Sequence, residues 1–182
     1  MTLTKDAGHV YTILQLEADY AAKWLPQLIT LLQDAVDGGA SVGFLAPLSH
    51  ADACQYWTQV FFDVGQRNRI VLAAVQQDQV VGSVQLALGT MPNALHRAEV
   101  QKLLVRRSHR RHGIGQALMA AVEEAARQAG RHLLVLDTRL GDDAQRLYTR
   151  MGYLQVGVIP QFARSSTGTL DATIIFYRDL SA

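Results

Sequence analysis

The sequence predicts an α/β protein built on a mixed sheet (α+β), and three observations predict it. An apolar strand at Val100–Val105 runs into a basic, glycine-containing loop that opens directly into a helix over 116–129. The stretch His132–Thr138 is almost continuously apolar, the pattern of a central parallel strand covered on both faces. Strand-like and helix-like periods alternate along 182 residues that are 49% hydrophobic and 18% charged, enough for one core and too apolar for disorder. The expectation is a single domain over residues 1–182.

In order, His9–Leu16 reads as a first strand. Asp19 is placed to cap a helix from Tyr20 to about Val36, whose Trp24, Leu25, Leu28, Leu31, Leu32 and Ala35 recur at helical spacing. Pro26 is awkward inside it, and Asp37-Gly38-Gly39 ends it. Residues 40–48 form a loop of unusual apolar content. Ser49 with Asp52 forms a capping box for a helix from His50 to about Val64, burying Ala53, Trp57, Val60 and Phe61. Ile70–Val75 and Val80–Leu88 read as a hairpin around Gln77-Asp78-Gln79, and Gly89–His96 as a loop. Ala98–Val105 is the strand entering the basic loop. The helix after it presents Ile114, Leu118, Val122, Ala125 and Ala129 on one stripe and stops at Gly130. After His132–Thr138, Asp142 or Asp143 caps a helix ending at Gly152. Tyr153–Ile159 and Thr173–Tyr177 are the last strands, joined by a polar loop over 160–171.

Composition narrows the function classes. A net charge of +1 gives no global field for nucleic acid or an anionic membrane, so neither is an expected partner. One cysteine, Cys54, excludes an intrachain disulfide and reads as a small buried residue. With no charged-then-apolar leader and no run of eighteen apolar residues, the expectation is a soluble, cytoplasmic protein.

The positive charge is local. Six of the eight residues from Arg106 to Gly113 are Arg or His, and Gly115 follows before the helix. The unpaired N–H groups of a helix's first turn, with the positive end of its dipole, form an anion site. Arginines add charge-assisted bonds to phosphate oxygens. The Walker pattern GxxxxGK[ST] is absent, and GxGxxG fails where Leu118 takes the third glycine position. What fits is [R/Q]-x-x-G-x-[G/A], read as Arg110-Arg111-His112-Gly113-Ile114-Gly115, behind the strand AEVQKLLV and ahead of LLVLDT and AQRLYTRMGY. This order resembles the GCN5-related N-acetyltransferase (GNAT) superfamily. Its A-x-x-x-Y-x-x-x-G-[FY] element is matched by Ala144, Tyr148, Gly152 and Tyr153. The segments DGGASVGF and NALHRAEVQKLLV are similar to the tabtoxin-resistance acetyltransferases within it.

The resemblance implies a sheet of about seven mostly antiparallel strands with about four helices, its parallel fourth and fifth strands splayed apart. It implies acetyl-CoA as cosubstrate and a possible homodimer. Leu103, Leu104 and Val105 would pair with pantetheine, with an N–H near Leu104 or Val105 polarising the thioester. Arg110, Arg111, His112, Gly113, Ile114, Gly115 and Gln116 would hold the pyrophosphate. Where the family often carries Asn, seven residues before the tyrosine, this chain has Gly141.

Acyl exchange needs a base for the ammonium, a hydrogen bond for the oxyanion and an acid for the thiolate. Tyr148 fits the acid; the alternative is a core stripe with Ala144, Leu147 and Met151. Glu99 is a base or ammonium binder, or a strand-end charge paired with Arg97 or Lys102. Asp137 is a second base or ammonium anchor, or a strand-end cap. His109 and His112 are spaced H-x-x-H without a third ligand nearby, so no metal is expected. The expected reaction is acetyl transfer from acetyl-CoA to a small amine, amino-acid-like, by direct transfer in a ternary complex. The alternatives are a protein N-terminal or lysine acetyltransferase, or a non-catalytic acyl-CoA sensor.

Overall fold

The computed structural model describes residues 2–6 and 9–181. Among these, eight strands form one sheet in the order β1-β2-β3-β4-β5-β6-β8-β7. They are β1 (Thr2–Asp6), β2 (His9–Gln15), β3 (Arg69–Gln76), β4 (Gln79–Leu88), β5 (Arg97–Val105), β6 (Leu133–Arg139), β7 (Leu154–Arg164) and β8 (Leu170–Asp179). The helices are α1 (Ala21–Asp37), α2 (His50–Gly65), α3 (Ile114–Gln128) and α4 (Asp143–Arg150). The strand beyond the expected seven is β1, which pairs with β2 at one edge. The fourth and fifth strands of the sequence reading are therefore β5 and β6.

The sheet is the middle of three layers. On one face α1 and α2 pack Leu28, Leu31, Leu32, Trp57 and Phe61 against Val71, Ala73 and Val80. On the other, α3 packs Leu118, Met119 and Val122 against Leu72, Leu86, Val100 and Leu134, with Tyr148 of α4 in the same cluster. Burying each large apolar side chain contributes about 1.5–3 kcal/mol. The predicted stripe of α2 is buried as expected, and Ser49 Oγ accepts from Asp52 N–H at 3.0 Å. Gln77 and Asp78 both have positive φ, as a two-residue hairpin between twisted strands requires.

Some boundaries differ from expectation. A 3₁₀ turn over Ala18–Tyr20 precedes α1, so Asp19 lies inside the turn and Tyr20 is the cap position. Helix α1 then runs through Pro26 without stopping. Asp142 stands at the α4 cap but makes no capping bond, because its carboxylate takes Arg139 Nε and Nη2 at 3.0 and 2.8 Å. The polar stretch over 160–171 is mostly a continuation of the β7–β8 hairpin, whose register shifts between Ile159 and Ala163. Bulged, partly polar strand ends of this kind carry no clean alternation.

Two features position the site. Strands β5 and β6 run parallel and pair only through Arg97↔Leu133, Ala98↔Leu134 and Glu99↔Val135, after which they part. Between Gln101 and Leu104, β5 also carries a bulge against β4, with Lys102 at φ 49°. At Gly82 on β4, a Cβ would stand 2.9 Å from Leu104 O and 3.1 Å from Ile114 Cγ2 and Leu118 Cδ1. Only glycine lets the first turn of α3 press this closely on the sheet.

Candidate active site

A cleft of about 780 Å³ opens where β5 and β6 separate. Its walls come from the end of α1 and the following loop, β5, the turn into α3, the end of β6, α4 and the β7–β8 hairpin. All three catalytic candidates, Glu99, Asp137 and Tyr148, line it, as do nine of the ten cofactor-binding candidates. His112 is exposed outside that lining, and His109 lines it instead, its Nδ1 2.8 Å from Ser108 Oγ.

The floor is the turn into α3. Gly113 is the cap residue at φ 71°, a left-handed conformation that costs other L-residues about 1–2 kcal/mol. The first intrahelical bond is Ala117 N–H to Gly113 O, at 3.0 Å. The N–H groups of Ile114, Gly115 and Gln116 therefore have no helix partner. Nearby, Arg107 donates its backbone N–H and Nε to the two Asp34 oxygens, both at 2.8 Å, tying the loop to α1. Burial pushes the Asp34 carboxyl up, but the Arg107 bonds and the Arg107 and Arg110 charges outweigh it and hold it below the usual range. Arg111 Nη2 lies 3.2 Å from Asp143, and Arg110 Nε donates to Val105 O at 3.3 Å.

The wall is β5 beyond its bulge. Arg106 N–H donates to Val81 O at 2.9 Å. Antiparallel ladders alternate, so Leu104 is the other residue whose N–H faces β4, and the Val105 N–H faces the opening. Since Val135 is the register partner of Glu99, and Asp137 lies two residues beyond Val135, both carboxylates stand on the same sheet face. Among the described residues no cation lies within 4 Å of Glu99. Asp137 Oδ2 accepts from Thr173 Oγ1 at 2.7 Å. At the position where the family often has Asn, Gly141 takes φ 89° and gives its N–H to Gln145 Oε1 at 3.0 Å.

Tyr148 is 5% exposed, packed by Tyr153 and Phe176 at centroid separations of 5.8 and 6.0 Å. Burial, then the Asp137 and Asp142 charges, push its phenol above the usual tyrosine range. Tyr153 is raised likewise, by burial and then by the Glu123 charge. A pKa raised in the folded state gives stability that is full below the unfolded pKa and lost as pH rises past it. The thermal midpoint is therefore expected to start falling near about pH 9, where unfolded tyrosines begin to ionise, and to keep falling more steeply as pH rises further, because both folded phenols stay protonated. The fall should be shallower in Tyr153→Phe, and an equal slope in the variant would refute the assignment.

Several lining residues were not foreseen. Phe162 and Ala163 come from the hairpin read as loop, and Lys102 was noted only as a partner for Glu99. No local signal in the sequence marks the bulge that aims Lys102. Among the described residues, no group of three or more His, Cys, Asp or Glu side chains is arranged to hold a metal ion. No helix among them is long and apolar enough to cross a membrane.

Comparison with known proteins agrees with this geometry. An aminoalkylphosphonate N-acetyltransferase of Salmonella typhimurium is 41% identical over 87 residues, spanning 45% of this chain and 54% of that protein. An uncharacterized N-acetyltransferase in the hisH-hisA intergenic region of Azospirillum brasilense is 32% identical over 117 residues, covering 63% of this chain and 68% of that one. The solved structure of yncA, a putative acetyltransferase from Salmonella typhimurium with its cofactor acetyl-CoA, superposes with a TM-score of 0.75. It covers 94% of this chain and 95% of that one at 17% identity, a likeness of fold. The family model described as acetyltransferase (GNAT) family matches residues 44–153, from the loop before α2 to the residue just before β7. That match holds the parted strands, the open helix turn and Tyr148 together, and on it the chain belongs to the acetyltransferase (GNAT) family.

Proposed function

We propose that the protein transfers the acetyl group of acetyl-CoA to the primary amine of a small, amino-acid-like acceptor, such as a toxin, antibiotic or metabolite, directly in a ternary complex. The observation that carries the reading is the continuity of the cleft: strands that part after Glu99 and Val135 open onto a helix turn with unpartnered N–H groups. An anion site at one end and an unpaired strand edge along one wall suit a pyrophosphate and the amide-bearing arm attached to it. The Ile114, Gly115 and Gln116 N–H groups would take the pyrophosphate, with Arg110 and Arg111 adding charge. The outward N–H of Val105 would polarise the thioester carbonyl. A relative named for aminoalkylphosphonates supports a small acceptor over a protein, and a role against toxins, as in the tabtoxin-resistance enzymes, is compatible with it.

In this reading the acceptor ammonium gives one proton to Glu99, directly or through water, with Asp137 beside it. The free amine attacks the acetyl carbon, the oxyanion takes the Val105 N–H, and the C–S bond breaks as the thiolate receives the Tyr148 proton. The remaining surplus proton on nitrogen returns to the Tyr148 phenolate. One ammonium and one acetyl-CoA thus yield amide, CoA thiol and one proton that leaves from Glu99.

Thermal unfolding with and without acetyl-CoA tests the cleft. Ligand at a hundredfold excess over its Kd is expected to stabilise by about 2.7 kcal/mol, and thiol release over a panel of small amines is expected to identify acceptors. An unchanged unfolding midpoint would overturn the reading.

A further inference from the structure

Lys102 stands where strand alternation would not put it. Ala98 and Val100 point into the core beneath α3, and regular alternation would send Lys102 the same way. The bulge, with φ 49° at Lys102, turns it to the opposite face. There its Nζ lies 5.9 Å from the centroid of the Tyr56 ring on α2, and 3.8 Å from where a Cβ on Gly43 would be. A left-handed conformation is uncommon for a residue other than glycine and tends to be kept where a side chain has a task.

Lys102 lines the main cleft, and Tyr56 lines a second cavity with Phe44, Leu45 and Leu48. Gly43 borders both, so the ammonium stands at their junction. Among the described residues no carboxylate lies within 4 Å of it. A second cation stands behind it. Arg69 is engaged with Asp63 at 3.4 Å, and with Gln85 and Gln101, both at 2.8 Å. Burial, then the Arg69 charge, holds the lysine below its ordinary range, with Asp137 and Glu99 pulling the other way. A half-buried ammonium without a paired anion is costly unless a ligand supplies one.

On the acetyltransferase reading above, we propose that Lys102 is the anion subsite of the acceptor site, so that preferred acceptors are small amines bearing a carboxylate or phosphonate. The cleft then matches a zwitterion, with the ammonium toward Glu99 and Asp137 and the anion on Lys102.

The test uses the full chain, acetyl-CoA and three acceptors on one skeleton: alanine, 1-aminoethylphosphonate and alaninamide. The wild type is expected to favour an anionic member over the amide by about tenfold or more in kcat/KM. Lys102→Met is expected to raise KM for the anionic acceptors about tenfold, with little change in kcat. It should leave the amide and the acetyl-CoA thermal shift unaffected, and Lys102→Arg should recover part of the loss. The acceptor-by-acceptor ratio of variant to wild type cancels each amine's own basicity. The arms also separate carboxylate from phosphonate recognition. Equal losses for all three acceptors, a preference for the amide, or acetyl-CoA binding with none of the three acetylated would overturn the subsite while leaving the cofactor cleft standing. Failure to bind acetyl-CoA would remove the cleft reading and the subsite with it.

Discussion

Replacing Tyr148 by Phe is expected to lower kcat by about 10²–10⁴-fold, the usual contribution of a positioned acid. The ring would keep its packing against Tyr153 and Phe176, so the thermal midpoint and the acetyl-CoA shift should change little. The raised pKa keeps the phenol protonated through neutral pH, so the acid is always loaded. A donor above the ordinary thiol range can still deliver its proton here. The burial and carboxylate charges that oppose a phenolate oppose a thiolate in the same cleft, and raise the proton affinity of both. Steady-state rates with the best acceptor, beside acetyl-CoA binding by both proteins, decide it. An undiminished kcat in the variant would return Tyr148 to the purely structural role that its helical stripe also allows.

Glu123→Ala is expected to cost about 1–3 kcal/mol of stability, because it removes a charge-assisted hydrogen bond and leaves a partly buried guanidinium short of its anion. Glu123 is 5% exposed on the inner face of α3, where Arg178 of β8 reaches it at 3.0 Å. The same guanidinium nitrogen donates to Met151 O just past α4, and the group lies over the Tyr153 ring at 5.7 Å. One side chain thus joins α3, the end of α4 and the far half of the sheet. Urea or thermal unfolding measures the loss, which for a chain of this size corresponds to a midpoint drop on the order of 5 °C. Removing both charges, as Glu123→Leu with Arg178→Met, is expected to recover much of it, because the cost lies mainly in the stranded charge. A double variant no more stable than the single one would mean that the loss comes from packing.

Both residues illustrate what local pattern can and cannot carry. Tyr148 could be singled out as a candidate because its motif lies within one short helix and the residues after it. Glu123 carries no local signal, since its partner lies 55 residues away and joins it only when β8 closes the sheet. The β7–β8 hairpin was shortened in the sequence reading for a related reason. Edge and bulged strands lack the one-sided burial that makes alternation legible.

By itself the sequence determined the helices, most strands and the glycine turn into α3. Each of these depends on neighbours within a few residues: apolar spacing, Ser49 with Asp52, and Gly113 at a position that needs positive φ. Only the tertiary structure decided where β5 leaves β6, which backbone N–H faces the opening, and which face Lys102 presents. Those depend on register with β4 and β6, strands brought alongside by long-range closure, and a single bulge reverses the side of every residue beyond it.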